Sequence, residues 1–394
     1  IFCMVVGIKS GKAGEVLLTE GILAGMFLTV WTGNYFCGKL SRHPFGCVEI
    51  RKICGGVLAV LILAETGIHG IVSITDNGTA NRDIYVESEQ EIGGLLESAG
   101  VDQVDYRTAI VNPLVRNEEI LYQLNGMSMY SSTNTEEMWN FVKNMGFENL
   151  ENRFQYAGST EVMDMLLGIR YLFCRNTRTL HTAYKKIAES QSFDLYENPR
   201  ALRSGYMVSD SVLDYAMEGT DPLEVQNRLL SGIVGKRLYK MQTVNSDTAL
   251  IGNTTFNIHL KKGEHGYLYI PGTEPDTVTI NGQEQKSDYW NNNFLDLGTY
   301  NVDTIVQVTT GTGMHEAVLG TYQESELDSI YEELSSQQMD LKDGKGSISV
   351  KKDGILMLSV FYDPDMKVYV DGEKADVKSI QGLTGVKLSQ GTHI

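Results

Sequence analysis

The densest run of uncharged hydrogen-bonding side chains lies between Leu124 and Asn134, where Asn125, Ser128, Tyr130, Ser131, Ser132 and Asn134 fall within ten residues. Amides and hydroxyls that donate and accept, beside an aromatic face, are what a sugar ring or a glycosyl-phosphate headgroup needs. Asn125, Ser128, Tyr130 and Ser132 are therefore candidate substrate-binding residues. Turn and helix-cap chemistry is the competing account, and it covers Thr133 and Asn134 well but Asn125 poorly. Glu65 and His69 form a second constellation, spaced i and i+4 on one helical face inside an apolar run. A carboxylate at the centre of a membrane span costs about 2.5–3.5 kcal/mol on insertion scales, so Glu65 should face protein. It could be a proton partner, a contact to a lipid-linked substrate, or a hydrogen bond that fastens neighbouring helices.

Other polar groupings read as local structure. Glu197 and Asn198 could face a ligand from a strand end, but Pro199 makes a turn the simpler account. Asp363 and Asp365 have cation-loop spacing without the Gly and distal Glu of a calcium loop. Asp210, Asp214 and Glu218 sit at helical spacing on an acidic chain, where such a face is usually solvated. His181, His265, His315 and His393 are scattered without evident partners, so no Ser–His–Asp or Cys–His arrangement can be argued. No spacing marks a metal site, and no residue pattern names a cofactor.

The elements that must hold these residues divide by composition. The 394 residues carry 33 Lys and Arg against 50 Asp and Glu, a formal charge of -17. Residues 1–75 hold six basic and four acidic side chains, while the remainder holds 27 and 46. Without a basic stripe, nucleic acid is excluded as a natural partner. Ile53 to Ile74 is long and apolar enough to cross roughly 30 Å of hydrocarbon. Val16 to Cys37 is a second run, interrupted by Glu20, and Ile1 to Ile8 could be the tail of a third. The loop between the two runs contains Lys39, Arg42, Arg51 and Lys52 against Glu49, which places it in the cytoplasm and residues after about 76 outside. Four of five cysteines lie in the first 54 residues. The exterior part, with Cys174 alone, must depend on its own core.

Residues 76–238 read as a mixed α/β domain. Helices are expected at Glu89–Ser98, after Thr133-Asn134-Thr135, from Thr160 to Leu167, and after the Asp221-Pro222 start signal; strands are expected at Tyr106–Val111 and Ile169–Phe173. Beyond about 240 the pattern turns all-β, with short strands at Tyr267–Ile270 and Thr277–Ile280 and an Asn281-Gly282 hairpin turn. Lys367 to Val370 followed by Asp371-Gly372 repeats that signature 90 residues later. Two β-sandwich modules are inferred, over 239–320 and 321–394, the second led by a helix from about Glu324 to Gln338. The fold class is thus transmembrane α-helices over 1–75, then an exterior mixed α/β domain and all-β modules.

Several stretches in this order resemble the YfhO-like family of bacterial multi-span membrane proteins. They are Ala64-Glu65, Leu124-Asn125-Gly126 leading to Tyr130-Ser131-Ser132, and Met163-Asp164-Met165-Leu166-Leu167-Gly168-Ile169-Arg170-Tyr171. Leu195-Tyr196-Glu197-Asn198-Pro199-Arg200-Ala201-Leu202, Gly205-Tyr206-Met207-Val208 and Val368-Tyr369-Val370-Asp371-Gly372 follow. The resemblance implies a membrane glycosyltransferase that moves a sugar from a polyprenyl-phosphate carrier to a cell-envelope polymer such as teichoic acid, in the bacterial cell membrane. It also implies that the catalytic carboxylate belongs to an earlier exterior loop, so this chain reads as a fragment with no catalytic residue of its own. The rival readings are a non-catalytic exterior binding module and a transporter of lipid-linked substrate.

Overall fold

The computed structural model describes residues 13–39, 44–76, 81–101, 103–111, 113–150, 152–175, 184–216, 219, 221–246, 248–250, 253–271, 276–285, 290–291, 294–311 and 316–394. Ile1 to Ile8, His181, His315 and Glu218 lie outside them. The chain divides into two compact units, Ile1–Tyr85 and Val86–Ile394.

In the first unit, helices Ala13–Lys39 and Pro44–Asp76 pack against each other. Glycine permits the close approach: a Cβ on Gly33 would lie 2.8 Å from Cys54 Sγ, the small-residue contact typical of membrane helix pairs. Cys37 of the first helix and Cys47 of the second form a disulfide, with Cα atoms 4.8 Å apart. Among the described residues one segment, Gly46–Thr75, is long and apolar enough to cross a membrane, and none of its apolar window is buried. It extends the expected run at both ends.

Helix Arg82–Ala99 begins in the first unit and continues into the second, where it turns Ile92 and Leu95 into a core with Tyr106, Phe173 and Phe193. Strand Arg107–Ile110 pairs in parallel with Ile169–Arg175, and Phe193–Glu197 and Lys185–Glu189 complete a four-stranded sheet. The connection from Arg107–Ile110 to Ile169–Arg175 carries helix Glu136–Asn144. Thr135 Oγ1 caps it by accepting the Met138 N–H at 3.3 Å. Gly146 ends it at φ 96°, where a side chain would be strained. Met138, Phe141 and Val142, spaced by helical turns, are the face this helix buries. Helix Glu161–Leu166 is capped by Thr160, and Pro222–Val234 runs from an Asp221 cap to Gly235 at φ 68°.

Two five-stranded sheets follow. One runs Thr248–Leu250, Asn253–Leu260, Thr304–Thr310, Thr277–Ile280, Gln283–Gln285; the other Trp290–Asn291, Phe294–Thr299, Glu264–Tyr269, Glu316–Gln323, Lys240–Asn245. Alternating residues from both, including Phe256, Ile258, Leu268, Leu295, Val308 and Leu319, share one apolar cluster. Asn281 and Gly282, both at positive φ, make the expected hairpin turn. After helix Glu324–Ser335 the order of the last four-stranded sheet is Val377–Ile380, Leu383–Leu388, Gly354–Phe361, Gly205–Val208. Its fourth strand thus comes from about 150 residues upstream, and Ile355 pairs with Val208. The largest core cluster accordingly spans Ala109 to Leu383 and joins the α/β portion to the C-terminal strands.

Candidate functional site

Beside the large core, a buried ionic cluster forms where three strands and two helix starts meet. His265 stands near the head of strand Glu264–Tyr269, opposite Thr299 on one side and Tyr322 on the other. A bulge between Gly266 and Tyr267 shifts the register, so Asp296 also reaches the imidazole: His265 Nε2 is 2.9 Å from Asp296 Oδ1. Nδ1 lies 3.0 Å from Thr299 Oγ1 and 3.4 Å from Glu324 Oε1. The ring is 1% exposed and stacks on Tyr322 at 5.1 Å. Arg200 closes the far side, with ion pairs to Glu161 at 3.2 Å and to Glu324 and Asp328 at 2.7 Å each. The Tyr322 hydroxyl donates to Glu161 Oε2 at 3.1 Å.

The electrostatics follow from this crowding. Burial alone would lower the His265 pKa, but the carboxylates of Asp296 and Glu161 outweigh it and hold the ring well above its usual value. Burial also opposes ionisation of Glu324, yet His265, Arg200 and Thr299 hold it down at about 2. Glu161, the most enclosed carboxyl, is raised by its burial. Glu161, His265 and Glu324 bring ligand-type atoms within 4.8 Å of one another. A divalent ion there would have to displace Arg200 and meet a protonated imidazole, so the donor set suits an internal salt-bridge network better than a metal. The expectation that His265 and His393 lack partners is therefore corrected. Sheet pairing supplies those of His265, and His393 Nδ1 bonds Asp371 Oδ2 at 2.8 Å.

A second cluster supports the Leu124–Asn134 run. Asn117, at φ 58°, leads into the short helix Glu118–Leu121. Glu119 is buried, and it accepts from the N–H groups of Ile110, Met127 and Ser128 and from the Ser128 hydroxyl, at 2.7–3.1 Å. Burial pushes its pKa up to about 7 against those bonds. Its carboxylate also needs the glycine at 126: a Cβ there would sit 2.3 Å from Glu119 Oε2. Glu118 in turn pairs with Arg175 at 2.5 Å and accepts from Tyr122.

The predicted substrate residues meet different fates on this frame. Ser128 is buried and spent on Glu119 and the Tyr156 N–H. Asn125 is exposed, but its amide donates to the carbonyls of Tyr106 and Gln103 at 3.0 and 3.4 Å. Tyr130 is 44% exposed, with the Arg116 guanidinium 4.8 Å above its ring, and Asn117 clamps its backbone through both N–H and C=O. Ser132 is exposed next to it. The helix cap is Thr135, and Asn134 leaves both amide atoms buried without a hydrogen-bond partner. A shallow cleft beside Arg116, Asn117, Tyr130 and Arg153 encloses about 10 Å³, room for about one water. In the first unit, Glu65 Oε1 lies 3.8 Å from His69 Nε2, and His69 reaches Thr19 at 3.4 Å.

The remaining candidates are local. Asn198 turns the chain by accepting the Arg200 N–H at 2.9 Å, and Glu197 pairs with Arg170 at 2.7 Å. Asp363 accepts the Asp365 N–H at 2.8 Å. Asp210–Asp214 is a 3-10 helix, with Asp210 3.4 Å from Lys387.

A family model described as "Bacterial membrane protein YfhO" matches residues 22–394. The chain belongs to the YfhO family. Together with the apolar helix Gly46–Thr75, that membership makes it a bacterial membrane protein. No curated protein matches it. The motifs that carried the resemblance mostly fall on the frame. Asp164 of the Met163–Tyr171 stretch accepts from Ser159, Tyr156 and Tyr184 at 2.5–2.8 Å, and Arg200 of the Leu195–Leu202 stretch anchors the His265 cluster. Sequence reasoning missed Glu119 and His265. A usable signal for Glu119 was the paired acids Glu118-Glu119 just upstream of a polar, glycine-containing loop.

Proposed function

We propose that this YfhO protein is the C-terminal part of a membrane glycosyltransferase. It would transfer a sugar from a polyprenyl-phosphate carrier to a cell-envelope polymer such as a teichoic acid, with the second unit positioning the acceptor. The observation that carries the acceptor role is the open Tyr130 face. An exposed phenol lies under the exposed Arg116 guanidinium. The cleft there holds about 10 Å³, so the face suits a polymer laid across it better than a small donor held inside. Arg116 has no carboxylate partner among the described residues, which eases the approach of an anionic polymer to an acidic chain. Tyr130, Ser132 and Asn125 are the contacting residues in this reading, with Ser128 positioning the loop and Glu65 meeting the lipid carrier. The catalytic carboxylate belongs to an earlier exterior loop.

In the same reading both helices of the first unit cross the membrane, the loop between them is cytoplasmic, and residues after 76 are exterior. In a reducing cytoplasm Cys37 and Cys47 would stand as thiols. The two five-stranded sheets form one β-sandwich, and the C-terminal sheets form a second that borrows Gly205–Val208 from the α/β domain.

The test is deletion of the intact gene and complementation with full-length wild type, read by mass spectrometry of envelope polymers. A sugar lost on deletion and restored on complementation supports the reading. Unchanged polymer glycans would overturn it in favour of a non-catalytic exterior binding module.

A further inference from the structure

The C-terminal strands enclose a second, larger space. A groove of about 530 Å³ opens among strands Lys345–Val350, Gly354–Phe361 and Leu383–Leu388, within the range of small-molecule sites. Its floor is aliphatic: Ile348, Leu356, Val386 and Leu388 are each 7% exposed or less. Over it hangs the two-stranded hairpin Tyr369–Val370/Glu373–Lys374, which joins no other sheet and is tied down by Asp371 N–H donating to the Ile394 carbonyl at 2.9 Å. Such a ribbon is marginal alone and gains from a filled groove beneath it.

Charge selects the occupant. The whole chain carries 50 acidic side chains against 33 basic ones, yet no Asp or Glu lines the groove. Its charged lining residues are Lys345, Lys367 and His393. Both lysines are exposed, which puts them at the mouth, and neither has an ion-pair partner among the described residues. His393 is already engaged with Asp371 and with the Ser389 carbonyl, at 2.8 and 3.0 Å. Tyr369, 58% exposed, adds a phenol at the opening. An aliphatic trough whose lining also carries two exposed lysines and a phenol matches a hydrocarbon chain with an anionic head. Two point-charge donors favour phosphate over a single-charge carboxylate.

We propose that this groove binds the alkyl chain of a phosphate-headed lipid, with Lys345 and Lys367 holding the phosphate. The inference rests on the groove and goes beyond the transfer reading, which the glycans of the deletion strain decide separately. The test uses the full-length protein in zwitterionic phosphatidylcholine nanodiscs with a diazirine-bearing monoalkyl phosphate as probe. Photolabelled peptides are mapped by mass spectrometry. Saturable labelling around Leu356 and Leu358 is expected, reduced at least tenfold in Lys345→Glu/Lys367→Glu and in the groove-filling Leu358→Trp. The exposed lysine pair should leave the melting temperature unchanged, which keeps the test valid if Leu358→Trp fails to fold. Inorganic phosphate at the probe concentration should not compete. Labelling confined to residues 13–76, labelling unchanged by charge reversal, competition by free phosphate, or equal labelling by the matching alkyl alcohol would each overturn the proposal.

Discussion

The His265 cluster and the Tyr130 face are both rich in polar side chains, but their surroundings give them opposite roles. Around His265, which stacks on Tyr322, Glu161, Asp296 and Glu324 pair with the imidazole and with Arg200, which Asp328 meets from the surface. These charges are paired with one another inside the protein. Around Tyr130, the backbone is fixed from beneath by Glu119 and Asn117 while the ring and the Arg116 guanidinium face solvent. Polar density by itself therefore does not mark a binding site. What separates the two regions is whether hydrogen-bonding capacity is satisfied inside the protein before a ligand arrives.

The comparison breaks most visibly at His265. His265→Ala would leave the buried Glu161 and the half-buried Asp296 without their shared cation, a class of change that costs about 3–5 kcal/mol. Denaturant unfolding of the full chain should show a loss of that size, with the amount of folded protein falling rather than the affinity of the Tyr130 face. A stability change below about 1 kcal/mol would mean that the cluster is wetter and looser than its 1% exposure implies.

Acidity sharpens the contrast from the other side. Glu119 and Asp164 are both pushed up to about 7 by burial, against hydrogen bonds that favour the carboxylate. Each thus contributes stability that is fully present below the ordinary carboxylate value and is lost as pH rises through about 7. Glu324, held near 2, contributes above the ordinary value and loses that contribution as pH falls toward 2. Stability should therefore decline between pH 5 and 8, and Glu119→Gln should remove about 3 kcal/mol of that decline, the equivalent of its raised pKa. Unfolding midpoints that are flat over this interval in the wild type would contradict the assignment. The smallest expected effect on stability is at Tyr130, because an exposed cation–π contact is worth about 0.5–1 kcal/mol.

Local signals were legible where a short stretch fixes its own geometry. Asp221-Pro222, Thr160 with Gly168, and Asn281-Gly282 each state a start, stop or turn without help from the rest of the chain. The apolar run Ile53–Ile74 was legible for the same reason. Long-range pairing was not. Nothing near Gly205–Val208 says that its partner is Gly354–Phe361, and nothing near His265 announces Asp296, which reaches it through a bulge. For the candidate site, the aromatic and amide content of Leu124–Asn134 was visible, and so was the competing turn chemistry. The division of labour was not: Ser128 serves the frame, Thr135 takes the cap expected near Asn134, and Asn134 is left unpaired. That sorting depends on Glu119, whose role appears only once Ile110 and Met127 are brought to it.

The most direct measurement is polymer glycosylation per molecule of protein in the deletion strain, comparing Tyr130→Ala and Arg116→Ala with wild type at matched membrane abundance. The acceptor reading predicts that each variant folds with near wild-type stability yet transfers at least tenfold less sugar. Wild-type transfer by both variants at equal abundance would contradict it, and would leave the Tyr130 face as an ordinary solvated surface.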